Sequence, residues 1–266
     1  MVTVADRALT VEELRAAAVA VRRGDFRRCG SSSGPGWSLS GCAGAVLVLA
    51  AHPGAGASCF ATALADALAA ADASPVRLVD TADPGRSGLV AATDTELGVQ
   101  GQWRLGRRGS VAVIRPAHPV RSVDDVPAPV VAVGERVVVD AGWPGADVVA
   151  GSGWVSVACA TAAVVVVFRA TVPGARHAER VAASLVSPTW VAVGPRRWHP
   201  AVQASLGPRL RQARAADQLF RAGLDRRLEA TGVEAGPLPG PVAAAASAVA
   251  AALRARMAES ERTGEE

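Results

Sequence analysis

The residues best suited to chemistry lie in a glycine-containing segment near residue 50. Residues 46–50 form a short apolar run typical of a buried strand, and residues 58–71 contain neither Gly nor Pro, as a helix requires. Between them, Gly54 and Gly56 permit positive φ angles, so backbone N–H groups at a helix start can surround an anion. We therefore predict that phosphate binds to Gly54, Ala55, Gly56, Ala57, Ser58 and Cys59, with the Ser58 hydroxyl available to Mg²⁺.

The composition limits how such an anion can be held. All 28 residues in the Lys+Arg count are Arg, and the 266-residue chain contains no Lys, Asn or Tyr. This bias is typical of a GC-rich bacterial genome. It excludes Schiff-base chemistry and the lysine of a standard phosphate-binding loop. Any phosphate must therefore be bound by Arg, hydroxyl or backbone N–H groups, and Arg86, Arg169 and Arg176 are the candidates for supplying charge.

Buried strands and helices alternate along the rest of the chain. Short apolar runs predict strands at 46–50, 76–79, 111–114, 130–133, 137–139, 163–168 and 190–193. Helical spacing predicts helices at 58–71, 174–185, 208–230 and 243–257. This pattern favours an α/β fold of three layers, with a mostly parallel sheet covered by helices on both faces.

Four regions are expected along the chain. Residues 1–26 are predicted to form an N-terminal helix, and residues 27–42 a flexible linker rich in Gly and Ser. Residues 43–235 would form the α/β domain, and residues 236–266 a C-terminal helix with an acidic tail. The helices at the two ends would flank the α/β core.

Three segments resemble motifs of the ParA/MinD-type partition ATPases. Residues 52–58, His-Pro-Gly-Ala-Gly-Ala-Ser, resemble the family's deviant phosphate loop, K-G-G-x-G-K-[ST]. Residues 78–89 resemble its D-x-D-P-Q segment, and residues 136–142 resemble a Walker B strand that leads to a switch glycine. The resemblance implies a P-loop NTPase fold that binds ATP and Mg²⁺ and a homodimer that encloses nucleotide. It also implies that Ser58 and Asp140 are the Mg²⁺ ligands, and that Asp83 and Asp140 are candidate catalytic carboxylates.

Two departures from the family pattern affect the expected activity. His52 stands where the family has its signature lysine, and Ala57 stands where it has the lysine that reaches the β- and γ-phosphates. Without that charge, most phosphoryl-transfer catalysis is expected to be lost. The sequence thus favours a catalytically degenerate relative with weak or no hydrolysis, regulating or scaffolding DNA partition, DNA transfer or division positioning.

Two alternatives remain open from the sequence. Gly54, Gly56 and Cys59 also resemble a G-x-G-x-x-G fingerprint with Asp80 downstream, which would indicate a dinucleotide-binding oxidoreductase. An ATP-type site requires Asp140 beside Ser58, whereas a dinucleotide site requires Asp80 at the tip of the strand adjacent to residues 46–50. The other alternative is an interaction module that binds no small ligand.

Residues 196–227 form the basic end of the chain. This region is interpreted either as a non-specific DNA contact or as a solvated face of the predicted 208–230 helix. Its cations are Arg196, Arg197, Arg209, Arg211, Arg214, Arg221, Arg226 and Arg227.

The remaining patterns concern location and metal binding. The longest apolar stretch, residues 154–168, is shorter than a membrane span needs, and the N-terminus lacks the pattern of a signal peptide. These features predict a soluble cytoplasmic protein. The four Cys residues include no C-x-x-C pair, which argues against structural zinc and a disulfide framework.

Overall fold

A computed structural model describes residues 44–72 and 74–264 of the chain. The predicted N-terminal helix (1–26) and linker (27–42) lie outside the described residues. Within the described part, the chain forms a nine-stranded sheet covered by helices on both faces.

The sheet and its helices have the following bounds. The strands are β1 (Ala45–Ala50), β2 (Val76–Asp80), β3 (Thr95–Gln100), β4 (Trp103–Arg108), β5 (Val111–Pro116), β6 (Arg136–Pro144), β7 (Ala163–Arg169), β8 (Thr189–Gly194) and β9 (Leu219–Gly223). The helices are α1 (Ala57–Ala71), α2 (Gly145–Ala150), α3 (Trp154–Thr161), α4 (Val172–Ala182), α5 (Pro200–Ala204), α6 (Pro208–Ala215), α7 (Arg226–Thr231) and α8 (Gly240–Gly264).

The strand order is β3-β4-β5-β2-β6-β1-β7-β8-β9. The pairings are parallel except at β3–β4 and β4–β5, where a hairpin edge runs antiparallel. The central strand β1 therefore lies between β6 and β7, and β6 separates it from β2. Because parallel strands end at the same edge, the residues that follow β1, β2, β6 and β7 meet there.

Side chains of the central strand alternate between two cores. Leu47 and Leu49 of β1 join the core beneath α3, α4 and α6, whereas Val46 and Val48 join the core beneath α1 and α8. Phe60 and Leu64 of α1 are fully buried in that second core. The predicted three-layer α/β fold is confirmed, since apolar strands of this kind need a helical cover on both faces.

The C-terminal helix α8 is part of the second layer. It runs from Gly240 to Gly264 and packs on α1 and β9, with Val242, Val249 and Leu253 buried. Across the described residues, the helices are either too short or too polar to traverse a bilayer.

Two sequence predictions about elements are wrong. Residues 130–133 form no strand, and Val130 and Val133 are 85% and 93% exposed, because a proline-rich stretch here runs over the surface. The predicted helix 208–230 is instead α6, β9 and α7. Asp217, with φ of 52°, interrupts it, and Asp225 caps α7 by accepting hydrogen bonds from the N–H groups of Arg227 and Leu228.

The β3–β4 hairpin was not predicted. All six residues of β3 are exposed, so no apolar alternation marks the strand in the sequence. Gly98 and Gly101 take positive φ angles, as the irregular pairing and the tight turn between β3 and β4 require.

Candidate functional site

The glycine loop between β1 and α1 forms an open helix start. Gly54 and Gly56 have φ of +73° and +93°, and Gly56 is the N-cap of the 15-residue helix α1. No described side chain caps this end, and the first turn carries no acidic residue. The first N–H groups of α1, together with the helix dipole, are therefore available to an anion.

Asp140 lies directly behind this loop. It is in register with Val48 of β1 and is 1% exposed. The Ser58 hydroxyl and the Gly142 N–H lie close to its carboxylate and oppose the rise in the pKa of Asp140 that burial causes. Among the described residues, the Oδ1 atom of Asp140 is buried without a hydrogen-bond partner. A buried carboxylate oxygen without a donor is well suited to a cation.

A second buried carboxyl group adjoins Asp140. Asp80 of β2 is its register partner, accepting hydrogen bonds at Oδ1 from the Ala82 N–H at 2.9 Å and at Oδ2 from the Ser87 hydroxyl. Burial raises the pKa of both carboxyl groups, and the charge of Asp80 raises the pKa of Asp140 further. Two such groups without a cation favour sharing a proton.

The residues present fit one Mg²⁺ ion. No cluster of three His, Cys, Asp or Glu side chains suited to a metal occurs in the part of the chain that the structure describes. Magnesium is usually held by one or two carboxylates, with waters and substrate phosphates completing its shell. Ser58 and Asp140 supply a hydroxyl and a carboxylate beside the uncapped start of α1, and this ion uses donors of both kinds.

His52 stands at the sequence position of the family's signature lysine, but its side chain does not supply a positive charge to the loop. Its Nε2 accepts a hydrogen bond from the Arg169 N–H at 3.2 Å, so its Nδ1 carries the proton that is donated to the Pro53 carbonyl at 2.8 Å. The neutral ring therefore ties the loop to the end of β7. Its ring centroid lies 5.8 Å from that of His177, on the side of α4.

Ala57 leaves the loop without a cation, because its methyl side chain carries no charge. This side chain is 8% exposed and packs in the core beneath α1. Of the three candidate Arg residues, Arg169 lines the pocket beside the loop and forms an ion pair with Glu229. Arg86 instead stacks on Trp143 at 4.4 Å from the ring centroid, and Arg176 is exposed on α4.

A pocket of about 310 Å³ extends from the glycine loop across the ends of β8 and β9. It is lined by Gly54, Gly56 and Arg169 at the loop, by apolar residues of β8, α7 and α8, and by the carboxylates of Asp225 and Glu229. The volume lies in the range of small-molecule sites. A lining that joins the helix start to apolar side chains suits a ligand that carries both phosphates and a ring.

Cys59 lines the same pocket without the properties of a nucleophile. Burial, together with the nearby charge of Asp140, raises the pKa of its thiol above the usual value. A thiol in this setting stays protonated, so Cys59 contributes its backbone and its size to the pocket rather than reactivity.

Asp83 organises the segment that follows β2. Its Oδ1 accepts a hydrogen bond from the Gly85 N–H at 2.9 Å, and its Oδ2 accepts one from the Val120 N–H at 2.9 Å. The residue that approaches Ser58 is instead Gly88, next to Ser87, whose hydroxyl donates to Asp80. A Cβ at Gly88 would lie 3.4 Å from that of Ser58. Sequence reasoning missed these two residues, although the turn residues around them were a usable signal.

The strand order bears on the dinucleotide alternative. That site requires Asp80 on a strand adjacent to β1, but β6 lies between β1 and β2. The arrangement required for an ATP-type site, with Asp140 beside Ser58, is present.

The basic region 196–227 is not one helical face. Its Arg residues are divided among α6, β9, α7 and the connecting loops. Arg211 donates to the Leu206 carbonyl, Arg221 lies 5.1 Å from the Trp198 ring centroid, and Arg227 pairs with Glu234. Several of these cations thus stabilise local structure.

A parallel sheet in which β1 leads through a glycine loop into α1, with an acidic residue on the adjacent strand beside the loop, defines the P-loop NTPase type of α/β fold. Among solved structures, the chain is similar to MinD in the MinC:MinD cell division protein complex of Aquifex aeolicus, with 15% identity and a TM-score of 0.50 over 80% of this chain and 96% of that one. This likeness supports the fold assignment.

Two further structures are similar at lower scores. A ParA family ATPase from Chlorobium tepidum TLS is 11% identical, with a TM-score of 0.49 over 79% of this chain and 98% of that one. A nucleotide-binding protein from Archaeoglobus fulgidus in complex with ADP is 13% identical, with a TM-score of 0.47 over 79% and 89%. Comparison with protein-family models and with curated protein sequences finds no match.

Proposed function

We propose that this chain binds a nucleotide with Mg²⁺ at the loop of residues 52–58 and hydrolyses it weakly or not at all. The observation that carries the proposal is the buried Oδ1 of Asp140, which has no hydrogen-bond partner among the described residues, on a carboxylate that lies beside Ser58. This pair lies directly beside the uncapped start of α1.

Each part of the site has a distinct role in this proposal. The N–H groups of residues 54 and 56–59 bind the phosphates, while the Ala55 N–H donates to the His52 carbonyl within the loop, and Ser58 and Asp140 hold the metal. Bound Mg²⁺ would neutralise part of the phosphate charge and offset the negative charge of the Asp80 and Asp140 carboxylates. The apolar side chains that line the 310 Å³ pocket contact the base.

Weak hydrolysis follows from the distribution of charge. Phosphoryl transfer depends on cations aimed at the charge that develops on the transferred group. Ala57 supplies none, the His52 ring is neutral and bonded to β7, and Arg169 is paired with Glu229. The site therefore holds the ground state of a nucleotide better than its transition state.

The proposed biological role is regulatory. The segments that follow Asp80 and Asp140 touch each other, because a Cβ at Gly142 would lie 2.6 Å from the Ala82 nitrogen. Both segments adjoin the Ser58–Asp140 pair, so an occupied site would change their packing and present a different surface to a partner. We place this switch in DNA partition, DNA transfer or division positioning, with a homodimer as the acting form. The likeness to MinD in its complex with MinC supports this placement at the level of fold.

Calorimetric titration of the full chain with ATP, ADP and NADPH, each with Mg²⁺, tests the proposal. We expect ATP and ADP to bind at about micromolar Kd, near −8 kcal/mol, and NADPH not to bind. Tight NADPH binding would support the oxidoreductase alternative, and absence of binding by all three would support the ligand-free module.

A matched pair of variants at Gly54 tests whether the loop binds an anion. A Cβ added at Gly54 would meet nothing within 4 Å, and φ is +73°. Asp and Asn both tolerate this backbone region, so Gly54→Asp and Gly54→Asn differ mainly in charge. We expect the Asp variant to lose nucleotide binding and the Asn variant to retain most of it. Equal loss in both variants would contradict an anion cradle at this loop.

A further inference from the structure

A second pocket, of about 420 Å³, lies at the antiparallel edge of the sheet. It is bordered by the segment after β2, through Pro84, Ser87 and Val90, and by Glu96, Arg104 and Arg115 of the β3–β5 hairpins. None of its lining residues belongs to the 52–58 loop, so it is a different site from the proposed nucleotide pocket. We refer to it as the edge pocket.

Arg115 is the main polar group of the edge pocket. It is 6% exposed, and its Nε is buried without a hydrogen-bond partner within residues 44–72 and 74–264. Its Nη2 donates to the Glu96 carboxylate. A guanidinium has five N–H donors in a fixed fork, and leaving one buried and unsatisfied costs free energy.

Arg104 places a second positive charge beside the first. Arg104 and Arg115 are register partners in the antiparallel β4–β5 pair, so their side chains extend from the same face of the sheet. Like charges directly opposite each other are destabilising unless an anion lies between them. The carboxylate of Glu96 faces these two cations in the pocket, and its side chain is 46% exposed. Outside the pocket lining, the charge of Arg115 also acts on the buried Asp80, whose pKa it lowers.

We propose that the edge pocket binds the phosphate group of a small phosphorylated molecule through the guanidinium groups of Arg104 and Arg115. Two facing guanidinium groups match the double charge of a phosphate monoester and offer forked donors to its oxygens. Glu96 occupies this place in the free protein. Because it is half exposed, it can turn into solvent when phosphate enters.

The test uses inorganic phosphate as the probe, titrated calorimetrically at constant ionic strength. The Gly54→Asp chain is the reference protein, because the added charge closes the 52–58 loop to anions. We expect saturable phosphate binding in this protein, at least about tenfold weaker binding in Gly54→Asp/Arg104→Ala, and tighter binding in Gly54→Asp/Glu96→Gln. Arg104 is exposed, so its replacement does not depend on rebuilding the core as replacement of Arg115 would.

The matched control is Arg107→Ala, since Arg107 is an exposed residue of the same strand on the opposite face. It should leave phosphate binding unchanged. Three results would overturn the proposal: no saturable binding in the Gly54→Asp protein, equal weakening by Arg104→Ala and Arg107→Ala, or acetate binding as tightly as phosphate. Loss of nucleotide binding at the 52–58 loop would leave the edge pocket unaffected, so the two proposals fail separately.

Discussion

Asp80 and Asp140 face each other as register partners on the adjacent parallel strands β2 and β6, and both carboxyl groups are buried. In the absence of a cation, two neighbouring carboxylates in a dry environment oppose each other's ionisation. The pair therefore lowers the stability of the free protein at neutral pH. Buried ionisable groups that destabilise the free protein in this way are common at ligand-binding sites.

The first prediction concerns the pH dependence of stability. Burial and the charge of Asp80 raise the pKa of Asp140 from 3.8 in the unfolded chain to about 7 in the folded protein. Because the folded state holds this proton more tightly, its stabilising effect is complete below about pH 4 and is lost as pH rises to about 7. Asp140→Asn should flatten this loss and stabilise the protein at pH 8 by on the order of 1 kcal/mol.

Thermal unfolding between pH 5 and pH 8 measures this effect, with the exposed Asp147→Asn as control. The Asp147 variant should follow the wild-type profile. A parallel shift of the Asp140→Asn profile, with the wild-type slope unchanged, would show that the buried pair does not titrate in this range.

The second prediction concerns the missing cation in the loop. Ala57→Lys should raise ATP hydrolysis by at least about tenfold, because a charged donor then reaches the transferred phosphate. Ala57→Met provides a side chain of similar length without charge. Release of inorganic phosphate from ATP is the measurement, and an equal rate in the Lys and Met variants would disprove the role assigned to position 57.

The third prediction concerns the anchor of the loop. His52→Ala removes the acceptor for the Arg169 N–H and the donor to the Pro53 carbonyl. We expect a loss of about 1 kcal/mol in the free energy of unfolding, measured in denaturant. The exposed His118→Ala is the control and should be neutral. A neutral His52→Ala would mean that the ring does not fix the loop to β7.

The fourth prediction concerns a buried cation that supports the hairpin edge. Arg108 is 4% exposed at its side chain and donates to Asp66 and to the carbonyls of Ala92, Glu234 and Gly236. Arg108→Met should cost about 3–5 kcal/mol, since it leaves a carboxylate and three carbonyls without their donor. Arg108→Lys should recover little, because an ammonium group cannot reproduce the planar fork.

Equilibrium unfolding in denaturant checks this prediction. The control is Arg107→Met on the neighbouring, exposed position of the same strand. Similar unfolding free energies for the two Met variants would contradict the structural role given to Arg108.

The sequence predicted the parts of the fold that depend on local pattern. An apolar run, two glycines and an uninterrupted helix define β1, its loop and α1 from residues 45–71 alone. The hairpin strand β3 has no such pattern because all of its residues are exposed. The apolar residues of the region 208–230 fit helical spacing and so predict one helix, whereas Leu219 and Phe220 pair with β8.

In the candidate site, the resemblance to the partition ATPases implies that Ser58 and Asp140 are neighbours, and the structure places Asp140 beside Ser58. Phosphate binding by the loop residues stays a prediction. The pairing of Asp140 with Asp80 depends on the strand order, which places β6 next to β2. The neutral state of His52 likewise depends on β7, more than a hundred residues away in the chain. Contacts of this kind leave no local signal.

The most direct test of the nucleotide site is the Mg²⁺ dependence of ATP binding, measured by calorimetry in the wild-type protein, Ser58→Ala and Asp140→Asn. We expect Mg²⁺ to tighten ATP binding in the wild-type protein by at least about tenfold and both variants to lose this dependence. ATP binding that is equally tight with and without Mg²⁺, or a Mg²⁺ effect that persists in both variants, would contradict a metal site at Ser58 and Asp140.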